Sequence, residues 1–162
     1  MEINIKGGEE LSKALKQLSP KIEKNIMRAA LRAGAKVIAD EAKRNVPEKS
    51  GELKKSIRSG SKATRQGQVI ATAKAGNDKA WYWRFVEFGT QAHLIMAKNQ
   101  KSMAFGGVFA KQIEHPGATA RPFMRPALDA KAQEAIQKVA DVVRQRLTKE
   151  GINVPDVEPD IE

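Results

Sequence analysis

The chain has no cysteine, which excludes disulfides, thiolate metal ligands and a thiol nucleophile. No run approaches the roughly 18 consecutive apolar residues of a membrane-spanning helix. The opening MEINIKGGEE lacks the basic-then-apolar run and small-residue cleavage site of a secretory signal, so a soluble protein is expected. Phosphate loops, dinucleotide fingerprints and nucleophile elbows are missing as well. The only two histidines, His93 and His115, stand 22 residues apart with no carboxylate at ligand spacing nearby, and read as turn and loop histidines. Ser59-Gly60-Ser61-Lys62 matches S-x-x-K but has no S-D-N or K-T-G companion and reads as chance. Most acids lie beside lysines on helix surfaces. No catalytic residue, cofactor or metal is expected, and an enzyme is not.

Aromatic residues are also few: two Trp, one Tyr and five Phe in 162 residues. Their placement is uneven, with Trp81, Tyr82, Trp83, Phe85 and Phe88 in one short segment and Phe105, Phe109 and Phe123 soon after it. In a chain whose apolar content rests heavily on alanine, such a cluster is expected to anchor the core, each buried ring covering ~150–250 Å².

Acidic residues are in deficit, 19 against 29 Lys and Arg, for a net charge of +10. The tail after Gly151 holds Asp156, Glu158, Asp160 and Glu162 and no base, so the preceding body stands at +14. A body this basic is compatible with nucleic acid or with an acidic protein partner.

One domain over residues 1–150 and an acidic, disordered tail over 151–162 are expected. Residues 2–6 alternate like a short strand, and Leu11, Leu15 and Leu18 mark a short helix. Ser19-Pro20 starts a long helix to about Asn45, with Ser19 as N-cap and a shallow stripe of Ile22, Ile26, Ala29/Ala30, Ala33 and Val37; Gly34 invites close approach. Pro47 ends it, and residues 46–53 read as a turn. Two strands, 56–64 and 68–75, flank the turn Arg65-Gln66-Gly67.

Residues 81–88 read as a short helix with Trp81, Phe85 and Phe88 at i, i+4 and i+7, a strand being the rival, and Gly89 as its cap. His93–Ala97 could be a strand and 102–113 a hairpin about Gly106-Gly107. Arg125-Pro126 opens a last helix with the stripe Leu128, Ala132, Ile136, Val139, Val143 and Leu147, and a Glu134→Lys138 pair on its wet face. The expected fold class is α+β: two long helices packed on a small antiparallel sheet, with a short aromatic helix and a hairpin loop.

Glu87 stands between Val86 and Phe88, where a carboxylate needs a partner to stay charged. Arg84, Arg121 and Arg125 are its candidate partners; a solvated carboxylate at a helix end is the plainer alternative. Residues 49–65 hold six bases against Glu52, which admits phosphate contacts, yet rings for base stacking are not interleaved. Helices 9–18 and 21–45 make a poor helix-turn-helix, since the second is too long for a recognition helix.

Three segments together resemble the tail-component family of long-tailed bacteriophages and prophages, the tail-completion or head–tail joining proteins. Pro47, Gly51, Leu53, Ser56 and Ile57 match a Pro…Gly-x-Leu-x-x-Ser-Ile turn. Tyr82, Val86, Glu87, Phe88, Gly89 and Thr90 match a Tyr-x-x-x-Val-Glu-Phe-Gly-Thr segment. The stretch Ala120 to Ala127, with Arg121, Pro122, Phe123, Arg125 and Pro126, matches Ala-Arg-Pro-Phe-x-Arg-Pro-Ala. The resemblance covers about residues 5–150, and Trp81 and Trp83 are additions to its pattern.

It implies a virion structural protein at the tail–head junction, made in the host cytoplasm and assembling as a ring, six subunits by analogy with the tail tube. Connector, tail-terminator or tail-tube proteins are the implied partners, with no specific DNA contact and no membrane. A ring needs a head-to-tail interface; Trp81, Trp83, Phe105 and Phe109 are candidates for it, and the Gly106-Gly107 hairpin a candidate arm. The free chain is expected to be a monomer or weak oligomer whose 97–118 loop orders on assembly. A basic nucleic-acid-binding protein is the alternative.

Overall fold

The structure, a computed structural model, describes residues 8–97, 103–105 and 107–152. The expected strand at 2–6 and the tail from residue 153 lie outside these residues. The elements run α1 (Gly8–Lys16), α2 (Pro20–Asn45), α3 (Glu52–Ser56), β1 (Arg58–Ala63), β2 (Val69–Lys74), α4 (Trp83–Phe88), β3 (His93–Met96), β4 (Met103–Phe105), β5 (Val108–Ala110), β6 (Gln112–His115) and α5 (Met124–Lys149). The architecture is α+β, as expected. In place of one small sheet there are three two-stranded antiparallel ladders among the described residues, β1–β2, β3–β6 and β4–β5. The first packs on α2.

The α2 start obeys the Ser-Pro signal by a different bond. Ser19 makes no side-chain cap; its carbonyl accepts the N–H groups of Ile22 and Glu23 at 2.9 and 3.0 Å. Residues 46–50 turn as expected, but the chain then enters α3, a short helix absent from the sequence reading. Its N-cap, Gly51, has φ +76°, a left-handed conformation that glycine adopts at no steric cost.

The long helices α2 and α5 pack antiparallel around two apolar clusters. One end joins Ile26 and Ala30 to Val143 and Leu147, with Ala14 and Leu15 of α1. The other joins Ala39, Ala42, Val46, Leu53 and Ile57 to Phe123 and Ala127. Between them the helices nearly touch. A Cβ added to Gly34 would lie 2.6 Å from Val139 Cγ2 and 2.8 Å from the Ala135 carbonyl oxygen. The expected close approach at Gly34 is present.

That approach also moves both stripes. On α2 the buried set is Ile26, Ala30, Gly34, Ala39 and Ala42, so Ala33 and Val37 are only half-buried. On α5 the expected Val143 and Leu147 are buried, but further up the helix Ala127 and Ala135 take the positions assigned to Leu128 and Ile136. Small side chains take the inward positions there, and Leu128 is turned aside and is 49% exposed. On the surface of this helix Glu134 pairs with Lys131 rather than with Lys138.

Candidate functional site

Helix α4 forms where expected, yet its aromatic stripe points outward. Trp81, Phe85 and Phe88 are 67%, 47% and 61% exposed. Tyr82, Trp83 and Val86, on the other flank, pack on the cluster around Phe123. The expected aromatic core is thus present only in part: Phe123 is fully buried with Tyr82 and Trp83 packed against its cluster, and aliphatic and alanine side chains make up the rest. The reason lies in Glu87, which the same turn of helix must direct inward.

Glu87 is buried at the mouth of α5. Its Oε2 accepts the backbone N–H groups of Phe123 and Met124 at 2.8 and 2.9 Å, and its Oε1 accepts that of Arg125 at 3.0 Å. These are the N-cap and first two positions of α5, and the next, Pro126, has no N–H to satisfy. One carboxylate from a distant segment thus meets every donor that the helix start leaves open. No arginine side chain pairs with it among the described residues, so the expected Glu87–arginine tie is corrected to a backbone cap. Burial pushes its pKa up, but the three N–H bonds and the nearby Arg125 charge outweigh it and hold the carboxyl below its ordinary range. The positive end of the α5 dipole favours the same charged form.

The rest of both motif segments is stitched alongside. Arg121 N–H donates to the Val86 carbonyl at 2.8 Å, and Thr90 and Ala118 exchange N–H···O bonds of 2.9 and 3.1 Å. The backbones approach so closely that a Cβ on Gly89 would lie 2.6 Å from the Ala118 oxygen, and one on Gly117 would lie 2.2 Å from the Thr90 oxygen. Gly89 has φ +70° with ψ −173°, so it turns the chain by glycine-only geometry rather than by the left-handed helical cap expected. Beyond the bridge, His93 and His115 sit opposite each other in the β3–β6 ladder, with ring centroids 5.0 Å apart. Their sequence spacing suggests separate loop residues; two short strands pair them instead. No cluster of three or more metal-ligating side chains occurs among the described residues.

The first motif builds the floor of the opposite wall. Leu53 and Ile57 are buried, and Pro47 and Gly51 lie at its rim. Ser56 is buried with its hydroxyl donating to the Leu53 carbonyl at 2.7 Å and accepting Gly76 N–H at 2.9 Å. Arg58 Nη1 donates to the Ser56 and Gly76 carbonyls at 3.1 and 2.8 Å. Trp83 lies against Gly76, where any Cβ would collide with its indole ring at 2.2 Å, and Arg84 stacks 5.4 Å from that ring. Trp83 is thus committed within its own chain, whereas Trp81 stands outside, edge-on to Tyr82 and Phe85. Phe109, on the β4–β5 hairpin, is 76% exposed; Phe105 pairs with Val108 in the same ladder. The hairpin forms as expected, and β6, which the sequence pattern runs together with it, is a separate strand paired with β3.

Grooves flank α4. One of about 620 Å³ includes Trp83, Phe88 and Leu128 in its walls together with Arg58, Lys74 and Arg125. The other, about 390 Å³, runs between Tyr82, Phe85 and the Pro47–Lys54 turn. Apolar side chains line both grooves, and Lys49, Lys54 and Arg121 add cationic groups to the second.

No curated protein and no solved structure matches the chain. A family profile described as "Bacteriophage HK97-gp10, putative tail-component" matches residues 9–89. That span takes in the first motif segment whole and the second as far as Gly89, stopping one residue short of Thr90 and before the third. The 162-residue chain, matched over half its length, belongs to the HK97-gp10-like family of bacteriophage tail components.

Proposed function

We propose that the chain is a non-enzymatic building block of the phage virion that acts where the tail meets the head, completing the tail or joining it, as a ring of identical copies. The observation that carries this reading is the pairing of a braced body with outward-facing rings. Glu87, Gly89 and Gly117 fix α4 against α5, and that same fixation leaves Trp81, Phe85 and Phe88 facing outward. Exposed rings held by a rigid frame fit an assembly surface better than a core defect. Connector, tail-terminator or tube proteins are the partners of such a surface.

Disrupting the gene in its phage tests this. Filled heads and separate, unjoined tails are expected by electron microscopy, and normal yields of joined particles would overturn the proposal. The nucleic-acid alternative rests on Arg58, Lys62, Arg65 and Lys74, all exposed on or beside the β1–β2 ladder. It predicts duplex binding with a steep salt dependence; weak binding at physiological ionic strength removes it.

A further inference from the structure

We infer that the groove between α4, β2 and the start of α5 receives the acidic C-terminal segment, residues 153–162, of a second copy of this chain. This inference rests on the self-assembly part of the proposed function. The groove, about 620 Å³, offers Phe88 and Leu128 as exposed apolar walls and Arg58, Lys74 and Arg125 as its rim. Among the described residues, Lys74 and the Arg125 side chain form no ion pair. Glu87 is the acid in its described lining, and its oxygens are already engaged by three N–H groups.

The segment is complementary in kind. In N-V-P-D-V-E-P-D-I-E the acids Asp156, Glu158, Asp160 and Glu162 alternate with Val154, Val157 and Ile161, and two prolines favour an extended chain. An extended acidic strand of this sort can lay its apolar residues between Phe88 and Leu128 while its carboxylates meet the three cations.

Reach decides whose groove it enters. Ile152 N–H bonds back to the Leu147 carbonyl at 2.9 Å, so the segment departs near Leu147. Leu128 lies nineteen helical residues away, about 28 Å at 1.5 Å per residue. Ten residues span about 33–36 Å at full extension. Only the final residue or two would arrive at the groove of the same chain, which leaves none to lie along it. A neighbouring copy has no such restriction, and when the exchange is not reciprocal, tail-into-groove docking joins unlike surfaces, as the head-to-tail interfaces that close rings do.

A labelled peptide of residues 152–162 is titrated against the full chain by fluorescence anisotropy. Binding is expected, at least tenfold weaker to Lys74→Glu/Arg125→Gln, and weakened by salt. A peptide with Asp156→Lys/Glu158→Lys should bind wild type at least tenfold more weakly yet recover affinity for the Lys74→Glu/Arg125→Gln chain, a recovery that a merely misfolded variant would not give. Equal affinities in all four combinations, or no binding in any, would overturn the inference. So would failure of the peptide with capture of a short DNA duplex that the groove variant loses, since phosphates would then be the occupant. Sedimentation of the full chain separates this contact from the reading beneath it. Self-association unaffected by Asp156→Lys/Glu158→Lys, with no peptide binding, sinks the docking but keeps the ring. Peptide binding that follows the charge swap, in a chain that never self-associates, keeps the docking and sinks the ring.

Discussion

Replacing Glu87 by Gln changes one charge and almost no volume, and its consequences can be worked out bond by bond. In the better of its two orientations the amide oxygen takes the place of Oε2 and keeps the Phe123 and Met124 N–H groups, now as neutral bonds. The amide nitrogen then faces Arg125 N–H across what was a 3.0 Å hydrogen bond, donor against donor. Charged hydrogen bonds contribute ~1.5–3 kcal/mol against ~1 for neutral ones, and a helix N-terminus favours a nearby anion by ~0.3–1 kcal/mol. The expected loss is about 2–3 kcal/mol, or about 4–12 °C in thermal midpoint for a chain of this size.

The pH dependence carries a sign. Folded Glu87 titrates below its ordinary value of 4.5, so its stabilisation is complete above that value and is lost as pH falls through the lower folded pKa. Thermal unfolding followed by circular dichroism should therefore show the widest gap between wild type and Glu87→Gln at neutral pH, closing only as the pH falls below 4.5. A midpoint within about 2 °C of wild type at neutral pH, or a gap that stays constant into acid, would refute the capping argument.

Other positions give sharper contrasts. Gly34→Ala should lower the urea midpoint by about 1–3 kcal/mol equivalent, because one of the two atoms its Cβ meets is backbone and cannot rotate away. Leu147→Ala should cost about 2–5 kcal/mol in the same assay, and Leu128→Ala less than about 0.5, although the sequence places both on one stripe. Gly89→Ala combines a glycine-only backbone conformation with a carbonyl 2.6 Å away. It should cost about 1–3 kcal/mol and speed hydrogen exchange at Thr90 and Ala118 ahead of the helices. Ser56→Ala removes the acceptor of the Gly76 N–H and should cost about 1–3 kcal/mol, with Ser56→Thr offering partial rescue.

What the sequence discloses is periodicity and punctuation. Both long helices, the ladder around Gly67, the aromatic helix and the hairpin could be read from spacing and turn residues, because those features are local. The direction in which α4 faces could not. Its i, i+4, i+7 rings look like a core stripe, and only the meeting of Glu87 with the start of α5, 36 residues later, turns them to solvent. The same limit hid the cap itself. A carboxylate beside apolar neighbours signals a need for partners, but charge bookkeeping proposes arginines, whereas the donors are backbone groups that no side-chain pattern announces. Pro126, which removes the fourth donor, was the available hint. On α5 the shift of one residue from Leu128 to Ala127 follows from how near α2 lies, a distance fixed by Gly34 and invisible to a hydrophobic count.

The Thr90–Ala118 bridge has a consequence for how such chains diversify. Thr90 and Ala118, on either side of residues 91–117, are joined by a reciprocal pair of backbone bonds that name no side chain. A segment attached in that manner can be lengthened, shortened or exchanged between phages while the braced helices behind it keep their positions. The segment is in effect a cassette whose sequence can drift at little expense to folding.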